Sequence, residues 1–196
     1  MAKPKWYVVQ VTVGREQQMC ELIERVVSEA NARLEERVTP IDDLLVECFS
    51  PHYLTRRKRD GEWHDEEKNL LPGYVVAVAP NPWELGRLLW SVREFTRIVT
   101  MGETFVPLQE NEIAWIEDWT RKGERTIPMS VAYKQGDAVV VTEGPLKGRE
   151  GMITKINRRK CLAFIELVVN GKRVTTAVGL AVLPDPKALQ GGVPLL

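Results

Sequence analysis

Residues 136–157 hold two apolar runs, 138–141 and 152–156, around a loop with glycines at 144, 148 and 151 and basic residues at 147 and 149. The runs are rich in β-branched residues and read as short strands, with the glycines where the backbone turns tightly. Residues 162–183 read as further short strands. Short strands are expected at 138–142, 151–157, 162–169 and 172–178, with 180–183 as a further segment, and Asn170-Gly171 reads as a hairpin turn. Closing such strands into a barrel removes most of the unpaired edges that an open sheet would leave. The Val- and Ile-rich runs, broken by Gly144, Gly148, Gly151 and Gly171, are expected to be β from the outset, not helical.

The region before it has a different rhythm. Residues 6–13 form an apolar, β-branched strand ended by Gly14, and Met19, Leu22, Ile23, Val26, Val27 and Ala30 then recur at helical spacing over about 15–30. Val46, Glu47, Cys48 and Phe49 read as a strand. Asp60-Gly61 between two extended segments, 53–59 and 62–70, is a strong hairpin signal. Pro72-Gly73 turns into the apolar strand 74–78, and Asn81-Pro82 reads as a cap and first turn for a helix over 83–92. A strand at 96–100 and a helix over 109–120 complete the alternation. Its order, β-α-β-hairpin-β-α-β-α, predicts an α+β fold, a sandwich with helices over a mixed sheet. Residues 121–129 have no periodicity and include Gly123 and Pro128, which marks them as a boundary.

Charge follows the same division. The chain of 196 residues is neutral overall, but residues 130–196 hold ten Lys/Arg against five Asp/Glu. A basic C-terminal part suggests a partner with phosphates. No apolar run approaches the ~18 residues of a membrane-spanning helix. The start lacks the apolar core of a signal peptide, so a cytoplasmic protein is expected. Cys20, Cys48 and Cys161 are odd in number and far apart, which argues against a disulfide framework.

Several separated motifs, taken in order, resemble the NusG family of transcription elongation factors: Trp6-Tyr7-Val8-Val9, Pro51, Pro72-Gly73-Tyr74-Val75, Val106-Pro107-Leu108, and the 136–157 stretch, which resembles the KOW motif. The segments 95–98, 102–108 and 158–164 are similar to specialised antiterminators of the LoaP or RfaH kind. The resemblance implies an N-terminal NGN domain, ferredoxin-like, over residues 1–120. A linker at 121–129, a five-stranded KOW β-barrel at 130–186 and a tail at 187–196 would follow. It also implies a monomer that binds RNA polymerase, with no cofactor, no metal and no membrane.

Site expectations divide between the two parts. By position in the family, Leu71, Tyr74 and Val76 would line an apolar groove for a coiled coil of the polymerase's largest subunit. A tyrosine among aliphatic side chains is a sound anchor for a partner helix. In the barrel, Lys147, Arg149, Arg158, Arg159, Lys160, Lys172 and Arg173 are candidates for structured RNA, such as a hairpin in the nascent transcript. The barrel's aromatics, Tyr133 and Phe164, are too few for a base-stacking platform, so duplex shape read through phosphates is favoured. Arg56, Arg57, Lys58 and Arg59 before the hairpin turn are candidates for DNA or RNA phosphates, or a solvated run neutralised by Asp65, Glu66 and Glu67 across the hairpin.

The function implied is antitermination. The alternative is a housekeeping adaptor linking polymerase to a ribosomal protein or Rho, whose barrel loops carry aromatics where this chain has Leu146 and Asn170. An enzyme is not expected. Cys48 and His52 lie four apart, but spacing alone supplies neither the geometry nor the third group of a nucleophilic site. The histidines and cysteines show no metal-ligand spacing.

Overall fold

The computed structural model describes residues 3–35, 44–90, 97–101, 103–136 and 138–184. In chain order the elements are β1 Lys5–Gln10, α1 Glu16–Glu35, β2 Glu47–Phe49, β3 His52–Arg59, β4 Glu62–Asn69, β5 Tyr74–Ala79 and α2 Pro82–Leu89. Then come β6 Arg97–Ile98, β7 Thr100–Met101, β8 Thr104–Phe105, α3 Glu110–Trp119 and β9 Thr126–Ile127. The last set is β10 Ser130–Gln135, β11 Ala138–Glu143, β12 Ile153–Asn157, β13 Leu162–Val169 and β14 Lys172–Leu183, with 3-10 turns at Glu150–Met152 and Arg158–Lys160. The chain divides into two compact units. One comprises Met1–Pro51, Leu71–Ile116 and Val169–Lys172; the other comprises His52–Leu70, Glu117–Val168 and Arg173–Leu196.

The first unit is built on the sheet β2-β5-β1-β6. β1 and β5 run antiparallel, with Val8 opposite Val76 and Gln10 opposite Tyr74. Alternation sends Tyr7, Val9, Val75 and Ala77 into one core with the apolar stripes of α1 and α2. There Ile23, Leu85 and Leu89 are buried, each contributing about 1.5–3 kcal/mol. The alternate residues Trp6, Val8, Val76 and Val78 are also buried, and the Trp6 ring meets Phe49 edge-on at 5.5 Å. Asn81 caps α2 as its sequence suggests, its Oδ1 accepting from the Trp83 and Glu84 amides.

The second unit holds the hairpin β3–β4, in register from His52 opposite Asn69 to Arg59 opposite Glu62. Asp60 and Gly61 both have positive φ, 51° and 89°, as a two-residue primed turn requires. The remaining strands form a curled five-stranded sheet, β11-β10-β14-β13-β12, a small barrel around Leu146, Ile165, Leu167 and Leu180. It differs from the expected strand set in two ways. β10 is an additional strand that pairs in parallel with β14, and 172–183 is one continuous strand. Its glycine at 179 serves proximity: a Cβ there would lie 1.9 Å from the Leu54 carbonyl oxygen of β3. The stretch expected as a bare linker, 121–129, carries β9, which pairs in parallel with β3.

Candidate nucleic-acid interface

Arg158, Arg159 and Lys160 occupy a 3-10 turn fixed at both ends. Asn157 Oδ1 accepts from the Lys160 amide at 3.1 Å. Cys161 then takes a left-handed conformation, φ 50°, unusual for a residue with a side chain. The Cys161 carbonyl accepts from the Leu180 amide at 2.9 Å, and the Thr55 hydroxyl donates toward the carbonyls of Lys160 and Cys161 at 3.2 and 3.1 Å. All three cations are exposed, and among the described residues none has a carboxylate within ion-pair distance. Burial raises the Cys161 thiol above its ordinary range, and the Arg56 charge pulls it part of the way back.

The other barrel cations differ in freedom. Lys147 is exposed in the glycine-rich loop. Arg149 is engaged: its Nη2 lies 2.6 Å from Asp118 Oδ2 and its guanidinium sits 5.6 Å from the centre of the Trp119 ring. Arg173 is exposed and within 3.5 Å of Glu166, and Lys172 is exposed at the start of β14. The Asn170-Gly171 turn has positive φ at both residues, and Glu112 accepts from the Gly171 amide at 2.8 Å. Leu146 is fully buried, its amide donating to Ser130 Oγ.

On the hairpin, the acidic strand answers the basic one. Arg56 meets Asp65 at 2.7 Å, while Arg59, Lys68 and Arg57 approach Glu66 at 2.9, 3.4 and 4.0 Å. Burial works to raise the Glu66 carboxyl, but the Lys68 hydrogen bond and the three charges outweigh it and hold it below the usual carboxylate range. Lys58 has no such partner among the described residues, and its cross-strand neighbour is Trp63, half exposed at 50%. Trp63 is absent from the sequence expectations, because alternation alone does not say which face of a hairpin stays open.

The candidate polymerase contacts fall unevenly. Tyr74 is 38% exposed, whereas Leu71 and Val76 are 5% and 1% exposed. The turn before them is anchored by Glu16, whose Oε1 accepts from the amides of Gly73 and Gly14 at 2.7 and 3.0 Å. Cys48 is buried, and its hydrogen bond with Cys20, its burial and neighbouring acidic charges push the thiol well up, the reverse of an activated nucleophile. Among the described residues no three His, Cys, Asp or Glu side chains gather as a metal site, and no helix is long and apolar enough to cross a membrane.

The chain thus has two parts, one built on a helix-backed antiparallel sheet and one holding a small barrel with exposed cations. Residues 4–117 match the family described as Transcription termination factor nusG, and residues 135–167 match the KOW motif. The chain belongs to the NusG family. It is 23% identical over 174 residues to the transcription termination/antitermination protein NusG of Campylobacter jejuni, covering 88% of this chain and 92% of that one. The proteins of the same description from Thermus thermophilus and Rickettsia bellii are 25% and 27% identical, over 86% of this chain and 91% and 83% of theirs. A solved structure described as domain interaction in Thermotoga maritima NusG superposes with a TM-score of 0.50 at 19% identity, over 90% of this chain and 94% of that one. That likeness is one of fold.

Proposed function

We propose that this NusG-type factor is a specialised antiterminator that binds RNA polymerase through its N-terminal unit and structured RNA through the barrel cations, without catalysis of its own. The observation that carries the RNA half is the turn Arg158–Lys160. It offers three exposed positive charges without carboxylate partners among the described residues, held by hydrogen bonds at Asn157 and Cys161. Phosphates supply the salt-dependent part of nucleic-acid affinity, and a turn whose backbone is already fixed loses little backbone freedom on meeting them. Leu146, at a loop position where housekeeping relatives offer an aromatic to a protein partner, is interior here, which disfavours the adaptor reading. The polymerase half rests on the family and on exposed Tyr74.

The experiment is charge reversal in the full chain. Arg158→Glu with Arg159→Glu should weaken RNA binding and flatten its salt dependence by about 0.9 for each phosphate no longer neutralised. It should also abolish antitermination while polymerase association persists. RNA affinity indifferent to these charges would turn the reading toward a protein partner.

A further inference from the structure

Two tight turns of the first unit, Thr12–Arg15 and Leu71–Tyr74, are built alike. Each is closed by an amide donating three residues back, Arg15 to the Thr12 carbonyl at 3.1 Å and Tyr74 to that of Leu71 at 3.0 Å. Their third residues, Gly14 and Gly73, have φ of 81° and 82°, the value a type II turn needs there. The amides of these two glycines converge on one atom, Glu16 Oε1, at 3.0 and 2.7 Å. Glu16 is buried, 6% exposed, in the first turn of α1, where the helix dipole suits a carboxylate. A further bond, from the Val11 amide to the Gly73 carbonyl at 2.9 Å, completes the clasp.

The clasp decides what the surface shows. The corner residues of the turns, Val13 and Pro72, are exposed, and so is Tyr74 beside Gly73. Val13 is 70% exposed although aliphatic, and its Cγ2 lies against Gly73, 3.0 Å from where a Cβ would stand. Leu71 and Val76, by contrast, are interior. Gln10, opposite Tyr74 in the sheet register, is exposed along with Thr12 and Arg15, so polar side chains border the apolar three. An apolar centre within a polar border is the anatomy of a protein contact, and it suits the apolar stripe of a helix. A nucleic acid would call for a row of cations instead.

We infer that Val13 and Pro72 join Tyr74 as the polymerase-docking surface, with the buried Glu16 as its positioning residue, holding the two turns side by side. The occupant is the apolar stripe of a polymerase helix. This inference rests on the polymerase reading above and deepens it.

The test measures polymerase and RNA affinity of the full chain. Val13→Asp, at an exposed position, should weaken polymerase binding by about tenfold or more, because the charge must be desolvated against the partner, and leave RNA affinity unchanged. Glu16→Ala should weaken polymerase binding by a similar factor, and Glu16→Gln, whose amide oxygen still accepts, should restore most of the loss. With Val13 already alanine, Glu16→Ala should cost clearly less than in the wild type, the coupling that a positioning role requires. The same cost in both backgrounds, or wild-type affinity in Glu16→Ala, would overturn the role of Glu16. Circular dichroism verifies the fold, and Glu16→Asp, its carboxylate drawn back by one carbon, replaces Glu16→Ala if alanine is not tolerated. Wild-type polymerase affinity in Val13→Asp, with Tyr74→Asp still impaired, would overturn this surface and keep the polymerase reading. Wild-type affinity in both, or no polymerase binding by the wild type, would remove both.

Discussion

The Thr55 hydroxyl lies 3.1 Å from the Cys161 carbonyl oxygen and 3.2 Å from that of Lys160, so one buried donor joins the hairpin to the turn that carries three cations. A buried hydroxyl left without an acceptor would be costly, and here it has two. The tie explains why β3 does not stand away from the barrel as an independent arm. It also makes the conformation of Cys161 matter, because the left-handed φ aims this carbonyl at Thr55 and the Leu180 amide together.

The close approach at Gly179 gives the most direct mechanical test. Alanine there would place its Cβ 1.9 Å from the Leu54 carbonyl oxygen, which is backbone and cannot swing aside. Gly179→Ala should destabilise the second unit by about 3 kcal/mol, the upper end of overpacking penalties, or displace β3 from β14. Denaturant unfolding measures the destabilisation, and limited proteolysis within 52–70 reports the displacement. An alanine variant with wild-type stability and protection would show that the two backbones do not approach as described.

Tyr74 tests the polymerase half. It is exposed at the start of β5, so Tyr74→Asp should leave the fold intact while placing a charge where a partner helix would have to desolvate it, a cost of several kcal/mol for an unpaired ion. Co-purification with RNA polymerase should be lost and RNA affinity retained. Polymerase recovered at wild-type levels would remove this face from the proposal.

Acid should loosen the hairpin in a defined direction. Burial works to raise the Glu66 carboxyl, but Lys68, Arg59 and Arg57 hold it below its ordinary value near 4.3. A carboxylate depressed in the folded state stabilises fully above its unfolded pKa and loses that contribution as the pH falls through the folded value. Glu66 should therefore add nothing to the pH dependence between 5 and 7, and its stabilisation should fade only below about pH 4. Carboxyl-carbon titration by NMR reads the folded value directly, and Glu66→Gln should remove this part of the acid sensitivity. A Glu66 midpoint at or above 4.3 would contradict the three-cation arrangement.

Local chemistry made much of this legible. Asp60-Gly61 and Asn170-Gly171 announced their turns because positive φ at two successive residues is a property of those residues themselves. The stripe Met19, Ile23 and Val27 announced α1 for the same reason, its period being written in neighbouring residues. The hidden features depend on distant partners. β9 is two residues long and exists only because β3 lies beside it in parallel. Gly179 resembles a strand breaker until Leu54 is placed against it. Arg149 reads as a free loop cation, yet Asp118 and Trp119 hold it. The tie between the Thr55 hydroxyl and the turn Arg158–Lys160 was invisible on the same grounds, since nothing near residue 55 refers to residue 160.

The second unit is assembled from stretches that lie far apart in the chain, and this has a consequence for its birth. The hairpin emerges early in synthesis and can close at once, since its pairing is local. Its acceptors at Cys161 and the strand at Gly179 emerge about a hundred residues later. Pairings this remote are slow to form, because a long loop must close before they reward it. The four-stranded sheet of the first unit awaits far less of the chain, its last strand ending at Ile98. Folding should thus run in sequence, with the hairpin waiting, preformed, for the end of the chain to arrive.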